Sequence, residues 1–234
     1  MSAGEQAIRR DTGRRFYTAA ALLAIVVVFI GFSRTYYLKA WFGAPALPLL
    51  THVHGAVMTT WFVLFVVQTW LVSTRRVSLH RKLGTFGAVV AGLIVALGSA
   101  VAIRATARDA VQDAQALYFL VIPLGDLLAF AAMIAAALAL RRRPAFHKRL
   151  MLLGSIAILP AAVGRFPIEP NTPVVFFGIP DLLIVLAAAY DTWKQGRLHH
   201  AFLWGGLFVI ASHPLRLLFA RTDLWTDFAR WATG

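Results

Sequence analysis

The sequence predicts an all-α, polytopic transmembrane bundle of about seven helices, with its N-terminus inside and its C-terminus outside. Three observations carry that expectation. The first is composition: 59% of the 234 residues are hydrophobic and 14% are charged, with a mean hydropathy of +0.71. Ordinary soluble domains are about 45–50% apolar and about 25% charged, so the apolar excess has no soluble core to fill. The second is the presence of seven apolar runs near the length of about 20 residues that a spanning helix needs. The third is the alternation of Lys and Arg density between those runs.

The predicted spans are 16–33, 51–73, 83–103, 116–140, 149–167, 172–190 and 200–220. The first follows Arg9, Arg10, Arg14 and Arg15, which resembles the basic region of a signal peptide. The run leads into Tyr36, Tyr37 and Trp41 and has no small-residue cleavage site, so it reads as a retained helix. Basic residues are dense before span one and in the loops at Arg75–Lys82, Arg141–Arg149 and Lys194–Arg197. They are sparse on the other side, at Arg34, Lys39, Arg104, Arg108, Arg165, Arg221 and Arg230. The dense side is expected to be cytoplasmic. Span five, carrying Pro160 and Pro167, departs furthest from a simple apolar run.

Tryptophans 41, 70, 193 and 225 fall near the predicted interfaces, where amphipathic rings are favoured. Residues 222–234 place Leu224, Trp225, Phe228 and Trp231 at helical spacing beside Asp223, Asp227 and Arg230. That pattern predicts a short amphipathic interfacial helix. Span three repeats small residues at Gly84, Ala88, Gly92, Ala96 and Ala100. Tight packing inside one bundle is the first reading of this stripe, and a homodimer seam through Gly84, Ala88, Gly92 and Ala96 is the alternative.

The loops "RRVSLHRKLG", "RRRPAFHKRLM" and "KQGRLHHAFLWGG" share an order: basic residues, then Leu or Phe, then His80, His147 or His199. Spans four and six share "IPLGDLLAF" and "GIPDLLIVL". Spans two to seven thus read as three repeated helical hairpins after a first helix. An interfacial position accounts for the three histidines without chemistry; ligation of a cofactor is the functional alternative.

Ionisable groups inside spans cost several kcal/mol unless paired or functional, so each marks a candidate site. Asp126 and Asp181 lie about 15 Å from the outer ends of spans four and six, and His213 about 10 Å from that of span seven. His52 and His54 open span two, Arg165 and Arg216 lie near the outer ends of spans five and seven, and Glu169 follows. Pro123, Pro180 and Pro214 accompany Asp126, Asp181 and His213. Broken backbone at membrane depth is tolerated only where protein or a cavity satisfies it. An outer-half pocket of His54, Asp126, Asp181, His213 and Arg216 is the expectation. Its purely structural reading pairs the two aspartates with Arg165 and Arg216.

Four chemistries compete for such a pocket. Haem b could be held by His54 and His213, with His199 fourteen residues before His213 serving a second haem. Position 68, fourteen after His54, is Gln68, a poor haem ligand. A metal held by His52, His54 and His213 requires His52 to precede the helix, since residues two apart on a helix diverge by about 200°. A proton-coupled small-molecule transporter could use Asp126 and Asp181 as relay groups, with Arg165, Arg216 and Gln68 lining the path. A structural or assembly protein without catalysis is the remaining class.

Several classes are excluded. The net charge of +13 is spread over short loops and forms no continuous basic face, which argues against nucleic acid. There is no cysteine for disulfides, iron–sulfur clusters or thiolate sites. No lysine lies in the last span to carry a retinal Schiff base. P-loop, HExxH and G-x-S-x-G patterns are missing.

The run "HVHGAVMTTWFVLFVVQTWLV…RRVSLHRKLG", with the later "FHKRLM", resembles a group of uncharacterised bacterial seven-helix integral membrane proteins. The likeness spans helices two to seven and implies a polytopic protein of the bacterial cytoplasmic (inner) membrane, without an activity. A remoter likeness to b-type cytochrome membrane domains rests on the His199–His213 spacing alone.

Overall fold

A computed structural model describes residues 3–111, 113–168 and 172–234, with side chains from residue 15 onward. Glu169 and the side chains of Arg9, Arg10 and Arg14 lie outside that description. The described residues form ten α-helices and no strand. These are α1 (Ala3–Phe32), α2 (Leu49–Ser73), α3 (Val77–Ala110), α4 (Gln115–Phe119) and α5 (Val121–Ala139). They continue with α6 (Pro144–Ala157), α7 (Pro160–Val163), α8 (Pro173–Gln195), α9 (His200–Phe219) and α10 (Asp223–Thr233). A wider π-helical turn, Ser33–Tyr37, ends α1.

Seven of these stretches are long and apolar enough to cross a membrane: Arg15–Tyr37, Leu49–Ser73, Val77–Ala110, Gln115–Ala139, Pro144–Val163, Pro173–Gln195 and His200–Phe219. They match the seven predicted spans in number and order. Spans one to three run further than predicted, because helical hydrogen bonding continues past the last apolar residue, whereas span five starts earlier, at Pro144, and ends at Val163 instead of 167. The chain is a multi-pass membrane protein.

Span five, the least regular in sequence, is the centre of the bundle. In it 72% of the apolar window is enclosed by protein, against 22–44% in the other six. Helix α6 meets α1, α5, α8 and α9. Its small residues permit this: a Cβ on Gly154 would stand 2.7 Å from Ile134 Cδ1 of α5. The helix breaks at Ile158–Leu159, just ahead of Pro160, which lacks the N–H needed to continue and starts α7. Helix α7 then packs on α1, where a Cβ on Gly31 would fall 2.2 Å from the Ala162 carbonyl oxygen.

Hairpins α2–α3, α5–α6 and α8–α9 turn at one end of the bundle, which carries the dense basic loops and is called the basic end below. At the other end α10 folds back against α3 and α4. Trp225 of α10 is buried against the bundle, and its indole N–H donates to the Leu117 carbonyl at 3.0 Å. Leu224 and Trp231 of the same helix are exposed. The small-residue stripe of α3 differs from its first reading. Gly92 and Ala96 face out of the bundle, and the close approach is made by Gly98, whose Cβ would meet Leu127 at 2.9 Å.

Candidate functional site

Two polar clusters lie inside the bundle, one toward each end. The first joins α5, α8 and α9 in the half away from the basic loops. Arg216 of α9 forms an ion pair with Asp126 of α5, both almost fully buried. The same guanidinium donates to the Ser212 carbonyl at 3.1 Å, the Ser212 hydroxyl at 2.7 Å and the Ile122 carbonyl at 3.2 Å. Its donors are thus fixed on both helices. The approach is tight, because a Cβ on Gly125 would stand 2.8 Å from the guanidinium carbon. The second carboxylate oxygen of Asp126 is buried without a hydrogen-bond partner.

Beside this pair, His213 Nδ1 lies 3.0 Å from Asp181 Oδ1 of α8. His213 is 2% exposed, whereas the Asp181 side chain is 25% exposed. The imidazole stacks on Phe177 with centroids 4.2 Å apart and an 11° interplanar angle. Phe177 also carries the Arg216 guanidinium 5.5 Å from its centroid, so one ring abuts both polar pairs. Neither imidazole nitrogen has a hydrogen bond of good geometry. Pro180 and Pro214 sit inside α8 and α9 next to these groups, as the sequence suggested.

Asp126, Asp181, His213 and Arg216 come together, but Asp181 faces His213 instead of an arginine. Arg165 turns away: it donates to the Ala161 carbonyl and covers the Phe32 ring at 4.6 Å. His54 is half-buried against Gly98, near Leu127, with Nδ1 enclosed and unpartnered. Its helix packs chiefly on α1 and α3, whereas α9 packs on α5, α6 and α8. His52 is exposed beside Tyr36, whose hydroxyl donates to its carbonyl at 3.1 Å. Because α2 already begins at Leu49, His52 and His54 are both helical and diverge. Among the described residues no three His, Cys, Asp or Glu side chains gather as a metal site, so His52, His54 and His213 are not brought together.

The second cluster, at the basic end, holds a pair that sequence reasoning missed. Arg149 of α6 donates Nε to Asp191 Oδ2 at 2.9 Å and Nη2 to Oδ1 at 2.7 Å, a bidentate fork that fixes the guanidinium plane. Both are buried, Arg149 at 2% and Asp191 at 4% exposure. Nη1 donates to the Ala145 carbonyl at 2.6 Å. The predicted spans began at 149 and ended at 190, which put Arg149 at the first position of one and Asp191 one residue beyond the other. The signal that could have found them is the helical register of α8, in which Asp191 follows Ile184 and Ala187 on the buried face.

The loop histidines converge here. His80 and His147 have ring centroids 6.3 Å apart, and His199 meets Phe146 at 4.7 Å. His147 Nδ1 is 2.8 Å from the Ala137 carbonyl. Gln68 belongs to this end, with its side-chain oxygen buried and unpartnered. His199 caps α9, its Nδ1 accepting the Ala201 N–H at 3.1 Å. Burial, followed by the nearby Arg149, holds the His199 imidazole below the usual histidine range.

No protein-family model, curated protein or solved structure matches this chain.

Proposed function

We propose that the protein is a proton-coupled membrane carrier of small molecules in which Asp181 and His213 are the relay. The observation that carries this reading is the contact between a part-exposed carboxylate and a deeply buried imidazole whose nitrogens are otherwise unengaged. Among the described residues, the base that a proton taken up at Asp181 meets at ion-pair distance is His213 Nδ1. Transfer turns the acid–imidazole pair into carboxylate and imidazolium, with no other group needed. Asp126 and Arg216 supply a fixed charge pair that holds α5 and α9 together while the proton moves. Pro180 and Pro214 lie inside the continuous helices α8 and α9 beside these groups, and each withdraws one N–H from the backbone ladder at membrane depth.

The test uses the full chain in liposomes loaded with a pH-sensitive dye, under an imposed pH gradient and with a panel of small organic solutes. Solute-dependent proton flux is expected, abolished in Asp181→Asn and His213→Gln. Flux that survives both substitutions would remove the couple from the path.

A second reading is supported by two enclosed imidazole nitrogens, His213 Nε2 and His54 Nδ1. A carboxylate at Nδ1 is a common way to orient an imidazole that ligates through Nε2. His54 and His213 would then hold haem b, which would supply one-electron chemistry. The absorption spectrum of purified protein, oxidised and then dithionite-reduced, decides between the two. A Soret band lost in His213→Ala supports haem, and a colourless preparation that moves protons supports the carrier. The charge asymmetry of the loops supports a bacterial inner-membrane protein with its N-terminus in the cytoplasm.

A further inference from the structure

The basic end holds a cavity of about 190 Å³ lined by Ala145, Lys148, Arg149, Gln195, Arg197 and His199. A single water needs only about 10–15 Å³ by this measure, so there is room for a polyatomic ligand. The lining carries three cations and a histidine, and the acid beside them, Asp191, is already held by Arg149. Among the described residues neither Lys148 nor Arg197 has a carboxylate at ion-pair distance. Lys148 lies over the Tyr17 ring at 4.8 Å, a contact that leaves its charge unneutralised.

Two helix starts reinforce the field. Ala145 stands in the first turn of the fourteen-residue α6, and His199 is the N-cap of the twenty-residue α9. Both ends present the positive pole of their helices toward the cavity. The His199 tautomer follows from its cap: Nδ1 accepts the Ala201 N–H, so the neutral ring carries its proton on Nε2 and can donate. Gln195 lines the cavity from the last turn of α8, whose negative end opposes the two helix starts in part. Cationic and imidazole side chains thus line one space from α6, the α8–α9 loop and the start of α9.

We infer that this cavity is a binding site for a phosphate-class oxyanion, carried by an anionic phospholipid headgroup or by a free phosphate. A tetrahedral anion with several acceptor oxygens suits cations and N–H donors arriving from different helices. Its depth at the helix ends also suits a headgroup, since basic pockets between spanning helices bind such groups. The site lies in the other half of the bundle from Asp181 and His213, and the inference stands whether or not those residues relay protons.

The test is isothermal titration of the full chain, in zwitterionic detergent at constant ionic strength, with inorganic phosphate and with dioctanoyl phosphatidylglycerol. Dioctanoyl phosphatidylcholine is the control. Saturable binding of one or both anionic probes is expected. Binding of phosphatidylglycerol alone identifies a headgroup site, and binding of phosphate alone identifies a free anion site. Lys148→Gln with Arg197→Gln should weaken the bound probe by about tenfold or more, since two charge-assisted contacts are lost. Arg141→Gln with Arg142→Gln removes the same charge nearby, outside the cavity, and should change affinity by less than about threefold. Arg197→Gln alone, at an exposed loop position, is the variant to use if the first pair does not fold. Failure of both anionic probes to saturate, or equal weakening by the two pairs, overturns the inference.

Discussion

At the scale of single residues, Arg216 and Arg149 solve one problem in two ways. Each brings a guanidinium into the bundle interior, where charge is costly unless paired and hydrogen-bonded. Arg149 has a bidentate carboxylate and one carbonyl, whereas Arg216 spreads its donors over a carboxylate, two carbonyls and a hydroxyl. Removing one member of either pair strands the other. Asp126→Asn and Asp191→Asn should each cost about 3–5 kcal/mol, read as a lower unfolding midpoint in detergent. A midpoint unchanged in either variant would show that the pair is solvated in solution.

His199 sets a pH dependence of definite sign. The unfolded chain regains an ordinary histidine, while the folded one holds the imidazole lower, chiefly by burial and then by Arg149, with Asp191 opposing and His200 and Arg197 adding slightly. As pH falls through about 6.5, the unfolded state takes up the proton first, so acidification withdraws stability. His199→Gln should flatten the fall in unfolding midpoint between neutral and mildly acid pH. An unchanged slope in that variant would assign the dependence to other groups.

At the scale of helices, glycine positions separate contact faces from lipid-facing ones. Gly31 leaves no room for a methyl group against the Ala162 carbonyl, and Gly92 faces open space. Gly31→Ala should therefore destabilise by about 1–3 kcal/mol, and Gly92→Ala should be neutral or slightly stabilising. Thermal melting of the two variants side by side measures the contrast. The residues that carry these faces were visible in the sequence, but small-residue spacing could not say which side of α3 met a neighbour. That depends on where α2 and α5 stand, and those helices use Gly87 and Gly98 instead.

At the scale of the whole molecule, the chain has no cysteine, which makes single-cysteine labelling clean. The expected orientation places Arg142 on the cytoplasmic side and Thr233 outside. In intact cells an impermeant maleimide should label Thr233→Cys at once and Arg142→Cys only after permeabilisation. The reverse pattern would invert the topology and place the anion cavity on the outer face.

Composition and the length and number of the apolar runs determined by themselves that this is a seven-span helical membrane protein, because the bilayer sets how long an apolar helix must be. The cost of burying charge likewise marked His54, Asp126, Asp181, His213 and Arg216 as a group before any helix was placed, and the fold leaves His54 apart from the other four. Tertiary structure alone decided who pairs with whom. Asp181 meets His213 and Arg165 does not join, because partner choice depends on the rotation of each helix about its axis. It also decided that span five, the least apolar-looking, lies at the centre: enclosure by four neighbours replaces lipid, so Arg149, Gly154 and Ser155 are buried there beside Leu152 and Leu153. Arg149 and Asp191 escaped notice for the same reason. A charge at the end of a hydropathy window reads as solvated until the neighbouring helices are seen to close over it.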